Sequence, residues 1–207
     1  MARRFPTIQF ERYADGVVHC VSRRQARYVR RAIGDRMAQV GLRLHPDKTR
    51  VVYCKDGSRR GSWEHTSFTF LGYTFRARAA RGPGGNVFAA FLPAISREAL
   101  KRLSRTVRRW QLHRRTELSL AELAEMINPV VRGWMQYYGA FYRSALSMLL
   151  AASIPTLVRW TRKEYRRLRA HRKARAAWDR VAMQFPGYFA HWAWVRYPVM
   201  IKMARAE

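Results

Sequence analysis

Residues Ser119–Gly139 read SLAELAEMINPVVRGWMQYYG, and the punctuation of this stretch is that of a helix. Ser119 can accept the N–H three residues on while Glu122 reaches back to the serine's own N–H, and Leu118 and Leu123 are spaced to clasp the entry turn. Leu123, Met126 and Ile127 then recur on one face. Pro129 should kink or divide the helix, since it lacks an N–H and crowds the preceding turn. The apolar pattern resumes at Val131, Trp134 and Tyr138 and closes at Gly139. On this reading Trp134 and Tyr138 pack inward, Gly133 permits the close approach of a neighbouring helix, and Arg132, Gln136 and Tyr137 face outward.

Helical patterning continues on both sides. Ser96 opens a helix with the stripe Leu100, Leu103, Val107 and Trp110. A further helix begins near Pro155 and continues at least to Leu168, with Leu157, Trp160, Thr161, Tyr165 and Leu168 on one side. Arg159, Arg162, Lys163, Arg166 and Arg167 then fall at i, i+3, i+4, i+7 and i+8, a single basic face. Upstream the pattern is mixed. Ile8–Ala14 and Val17–Val21 are strand-like runs around a turn. Ser22 with Gln25 caps a helix whose stripe is Ala26, Val29, Ile33, Met37 and Val40, and Gly41 is its stop signal. Val51–Tyr53 and Phe68–Phe75 look like further strands. Residues 76–86, RARAARGPGGN, are the natural linker, followed by a short apolar run from Val87 to Leu92. The expected fold is therefore α+β. Residues 1–76 form an antiparallel hairpin and strands with one helix, residues 77–95 a linker and short strand, and residues 96–207 an all-α domain.

Charge narrows the partners. Lys and Arg number 41 against 13 Asp and Glu, a net +28, while 48% of residues are hydrophobic, so the chain can bury a core. Such self-repulsion makes most sense beside a polyanion, with nucleic acid first and an anionic membrane surface second. The 7 Trp, 10 Tyr and 10 Phe among the arginines add stacking surfaces. The bland alternative for the 159–167 face is a solvated one. Without an interspersed acid on that stripe it reads instead as a phosphate-tracking surface, joined by Arg132, Gln136 and Tyr137. Cys20 and Cys54 make no disulfide framework, and neither His19 with Cys20 nor His45 with Cys54 has metal-ligand spacing. The start MARRFPTIQF has no signal-peptide run, and the apolar stretch from Ala145 to Val158 is too short and interrupted to span a bilayer. A cytoplasmic protein without membrane partners is expected.

Four further stretches complete the pattern: RYADGVVHC (Arg12–Cys20), GLRLHPDKTRVVYCKDGSRRG (Gly41–Gly61), FTFLGYTF (Phe68–Phe75) and FPGYFAHW (Phe185–Trp192). With LAEMINPVVRGWMQYYGAF (Leu123–Phe141), their order and spacing resemble the C-terminal half of bacterial group II intron reverse transcriptases, the intron-encoded maturases. The resemblance covers nearly the whole chain and implies the end of a right-hand polymerase palm followed by a thumb-like helical maturase domain. It implies two linked activities of a mobile intron, assisting splicing and copying RNA into DNA, with intron RNA and a DNA/RNA hybrid as partners. Tyr13, Ala14 and Asp15 match the first three members of the family's Tyr-Ala-Asp-Asp hairpin, which holds catalytic Mg2+. Lys48 matches the lysine beside the incoming nucleotide, Phe70–Tyr73 the strand pair under the primer end, and Asn128–Tyr138 the signature of the maturase-specific domain.

The departures from that pattern matter. Two-metal phosphoryl transfer needs paired carboxylates about 4 Å apart. Here Gly16 follows Asp15, as though one aspartate had been deleted, and the 14 residues before Asp15 leave no room for the family's upstream aspartate. Asp15 on its own reads as a turn residue capping its backbone. Loss of one residue reverses the facing of everything beyond it, unless Gly16 adopts positive φ and tightens the turn. The expectation is a truncated chain that binds structured intron RNA and could assist splicing, without polymerising alone or binding Mg2+ productively. Two alternatives stand beside it: a subunit of a split RNA-directed DNA polymerase completed by a separate N-terminal fragment, and a degenerate intron remnant.

Overall fold

Strands β1 (Phe10–Tyr13) and β2 (Asp15–Val18) form an antiparallel hairpin in the register Phe10↔Val18, Glu11↔Val17, Arg12↔Gly16 and Tyr13↔Asp15. The computed structural model describes residues 9–195 except Ala14, and within that span the side chains of all but Phe10, Arg12, Tyr13 and Asp15. The strand ends expected at Ile8 and Ala14 thus lie outside the described residues. Gly16 sits inside β2 opposite Arg12. Helix α1 (Arg23–Ala38) follows. Ser22 Oγ accepts the Gln25 N–H at 3.2 Å, and Gln25 Oε1 accepts the Val21 N–H at 2.7 Å, a capping box displaced by one residue. Only Val29 of the expected stripe is fully buried, and Val40 lies exposed beyond the helix end. Gly41, at φ +73°, supplies the left-handed residue after the cap.

Val51–Tyr53 does not form a strand. Its backbone ties include the Tyr53 N–H to the His65 carbonyl at 2.8 Å and the Lys55 N–H to the Tyr53 carbonyl at 2.9 Å. The segment is held by side chains instead: Tyr53 stacks on Trp63 at 4.7 Å, and the Arg23 guanidinium lies 4.7 Å from the Trp63 ring centre. A second, three-stranded antiparallel sheet has the order β3-β4-β5, from Phe68–Phe70, Tyr73–Arg81 and Val87–Ile95. Leu71 (φ +50°) and Gly72 (φ +78°) make the two-residue left-handed turn whose twist suits a hairpin. The stretch read as a linker is instead the second half of β4 plus the β4–β5 turn, closed by the Gly82 N–H to the Asn86 carbonyl at 2.9 Å. Its glycines serve one hairpin, and its arginines lie along a strand.

By internal contacts the chain divides into two compact units. One takes the described residues up to Phe70 with Phe75–Phe91, the other Leu71–Thr74 with the described residues from Leu92 onward. The second unit is helical: α2 (Arg97–Trp110), α3 (Leu120–Tyr138), α4 (Arg143–Ala151), α5 (Ile154–Glu164), α6 (His171–Gln184) and α7 (Trp192–Val195). Its main core joins α3, α5 and α6 through Leu123, Ile127, Leu157, Trp160 and Trp178, with Phe189 and Trp192 closing one side. Helix α3 opens on the expected capping box and runs unbroken through Pro129. Leu123, Ile127 and Val131, all buried, anchor it on both sides of the proline, which itself faces outward. A Cβ at Gly133 would meet nothing within 4 Å, so the close approach assigned to that residue falls elsewhere. It falls at Gly139, where a Cβ would collide with the Trp194 ring and the Met135 carbonyl.

Candidate nucleic-acid interface

The cations of the helical unit are spread over several of its elements. Along α2, Arg97, Lys101, Arg105 and Arg108 recur at helical spacing on one face, opposite the buried Ala99 and Leu103. Arg102 and Arg109 flank them, and Glu98 is the one acid of the helix. Sequence reasoning passed over this face, although its i, i+4, i+8, i+11 spacing was there to find. On α5, Arg159 and Lys163 approach the one-turn 3-10 segment Leu112–Arg114. Burial, then the charges of Arg159, Lys163 and Arg114, hold the His113 imidazole below its usual pKa. Burial first and the neighbouring cations second thus disfavour the charged imidazole.

The single five-residue face expected at 159–167 does not form. Helix α5 ends at Glu164 because Tyr165 turns extended (φ −109°, ψ 107°), and Arg166–Leu168 form a separate 3-10 turn. No glycine or proline marks this stop; packing imposes it. Arg162 Nε donates to the Arg169 carbonyl at 2.7 Å across the bend, and Leu168 packs against the main core. Arg162 is therefore partly a clasp, whereas Arg159, Lys163, Arg166 and Arg167 project exposed from two elements. None of those four has a carboxylate partner among the described residues; an ion pair of this region is Arg175 with Asp179 at 3.3 Å.

On α3, Arg132 and Gln136 are exposed four residues apart. Tyr137 is 47% exposed, but its hydroxyl donates to the Leu71 carbonyl at 2.8 Å, so it offers a ring rather than a free donor. Its neighbour Tyr138 is buried as expected, accepting from Arg102 at 3.2 Å, and Trp134 stacks on Trp110 at 5.5 Å. Tyr73 joins this group, donating to the Tyr137 carbonyl and meeting Phe141 edge-on at 5.5 Å. Phe141 is 60% exposed, an aromatic face that sequence reasoning did not single out.

Asn128 explains a further part of the pattern. Its side-chain amide donates to the Tyr188 carbonyl and accepts the Ala190 N–H, both at 2.9 Å. One buried amide thus clamps FPGYFAHW onto α3 from 60 residues away. Residues 100–178, from α2 into α6, match the family model of the group II intron, maturase-specific domain. Over this segment the chain is group II intron maturase-like. No curated protein matches the chain significantly. The maturase-specific segment thus coincides with the elements that carry α2's basic face, Arg132, Arg159 and Lys163.

The residues carried over for polymerase chemistry fall outside this segment. Lys48 is exposed on the turn that precedes Thr49. The Asp15 backbone lies in β2, while its side chain is outside the described residues. Catalytic Mg2+ would need converging carboxylates. Among the described residues no group of three or more His, Cys, Asp or Glu comes together, and Gly16 occupies the next position after Asp15. Among the described residues no helix is long and apolar enough to cross a membrane.

Proposed function

We propose that this chain binds structured group II intron RNA through its helical unit and thereby assists splicing, with the β-rich unit corresponding to the end of a polymerase palm and the helical unit to the thumb. The observation that carries the reading is electrostatic. Exposed cations on α2, α5 and the 166–168 turn stand without carboxylate partners among the described residues, within or beside the segment matched to the maturase-specific domain. Unneutralised arginines in such number cost the folded chain energy unless phosphates meet them. Their planar forks suit phosphate, and exposed rings such as Phe141 suit unpaired bases. The reading assigns no primer extension to this chain alone, because Gly16 stands where the family has its second aspartate.

The test is a titration of fluorescent structured RNA across a salt series. The logarithm of affinity should fall linearly with that of salt, with a slope of magnitude about 4 or more, at roughly 0.7–0.9 per phosphate neutralised. R105Q/R108Q and R166Q/R167Q should each shallow that slope by about 1–2. Affinity indifferent to salt would end the reading.

A further inference from the structure

The β-rich unit carries a basic feature of its own. Arg27, Arg30 and Arg31 occupy i, i+3 and i+4 on α1, so their side chains emerge together. Residues 44–49 pack beside them: Leu44 Cδ1 comes within 3.8 Å of where a Gly34 Cβ would stand, and the Thr49 N–H closes a turn onto the His45 carbonyl at 3.0 Å. Between helix and turn is an open cleft of about 350 Å³, lined by the three arginines, Leu44, His45, Pro46 and Thr49. All three arginines are exposed, and none has a hydrogen-bond or ion-pair partner among the described residues. Asp35, one turn beyond Arg31, and Asp47, in the facing turn, form no ion pair with them.

The arrangement works against α1. Like charges at i, i+4 destabilise a helix by about 0.2–0.5 kcal/mol per pair. The helix also begins with Arg23 and Arg24 and has no acid in its first turn, the reverse of what its dipole favours. Cationic crowding of this kind is relieved by an anion seated among the guanidiniums. The cleft has no Phe, Tyr or Trp in its lining, and its donors are arginine forks, an imidazole and a hydroxyl.

We propose that this cleft is a phosphodiester-binding site, through which the β-rich unit grips a nucleic-acid backbone without reading its sequence. The inference rests on the RNA-binding reading above and extends it to residues of the β-rich unit. Both can be tested with the full chain and one structured RNA hairpin, comparing wild type, R27Q/R30Q/R31Q and R166Q/R167Q over a salt series, with circular dichroism confirming that each variant is folded. R27Q/R30Q/R31Q should bind about 10–100-fold more weakly at low salt, with a salt slope shallower by about 2–3. R27K/R30K/R31K, which keeps the charge, should retain most of the slope. Wild-type affinity and slope in the glutamine triple variant, alongside a weakened R166Q/R167Q, would overturn this site while leaving the helical reading intact. No salt-dependent binding by the wild type would overturn both.

Discussion

At the scale of single residues, the helical unit is organised around buried polar groups that each settle a long-range contact. His191 is the sharpest case. It is 1% exposed, with Nε2 3.2 Å from Ser153 Oγ, and that hydroxyl donates its own proton to the Leu150 carbonyl at 2.6 Å. The imidazole must therefore donate from Nε2, which leaves Nδ1 as the bare nitrogen, buried and without a partner. Burial depresses the pKa from 6.5 to about 4. The unfolded chain takes up this proton near pH 6.5 and the folded chain does not until about pH 4, so the stability this group contributes is complete above pH 6.5 and drains away as pH falls to about 4. The shift amounts to about 3 kcal/mol over that window, at 1.36 kcal/mol per pKa unit. Denaturant melts between pH 7 and 4 should show the decline, and H191Q, though weaker at neutral pH, should lose stability less steeply. An unchanged pH profile in H191Q would rule out His191 as the source.

At the scale of elements, the turns rather than the helices hold the information. Leu71–Gly72 is a left-handed turn occupied by a residue that gains nothing from φ +50°, where asparagine would be usual. Contacts within the helical unit hold it: Leu71 O accepts from Tyr137, Gly72 O accepts the Ser96 N–H at 2.8 Å, and a Cβ on Gly72 would stand 3.1 Å from Tyr138 Oη. G72A should destabilise by about 1–3 kcal/mol, from backbone strain and that contact together, whereas L71N should be neutral or stabilise by up to about 1 kcal/mol. Chemical melts of the pair check the opposite signs. These elements also mark the limits of legibility. The box at Ser119 and Glu122, the α2 stripe and the inward Trp134 and Tyr138 were readable, because caps and 3.6-residue periods are local. The β4–β5 hairpin was masked by arginines that break the strand's apolar alternation. The end of α5 was unreadable because no local stop exists there, so five cations that share one face on paper divide between a helix and a turn. Asn128 was legible as part of a motif but not as a clamp, since its partners lie 60 residues downstream.

At the scale of the whole chain, +28 charges spread over 207 residues make repulsion a global term that no single contact answers. Among the described ion pairs, Arg59–Asp56 and Arg175–Asp179 lie at the surface, where salt costs them little because they contribute little. Screening should therefore act mostly on the repulsion. In the absence of nucleic acid, the thermal midpoint should climb as potassium chloride rises from about 50 to 500 mM, across which the Debye length shrinks from roughly 14 to 4 Å. A screening gain of about 1 kcal/mol would raise the midpoint by about 2–4 °C for a chain of this size. Bound RNA should reverse the trend, because its phosphates already supply the counter-charge and added salt removes them. The two series, with and without RNA, ought to converge at high salt. If the free protein instead melts lower as salt is added, favourable charge pairing outweighs repulsion, and the polyanion loses its standing as the partner that this charge distribution anticipates.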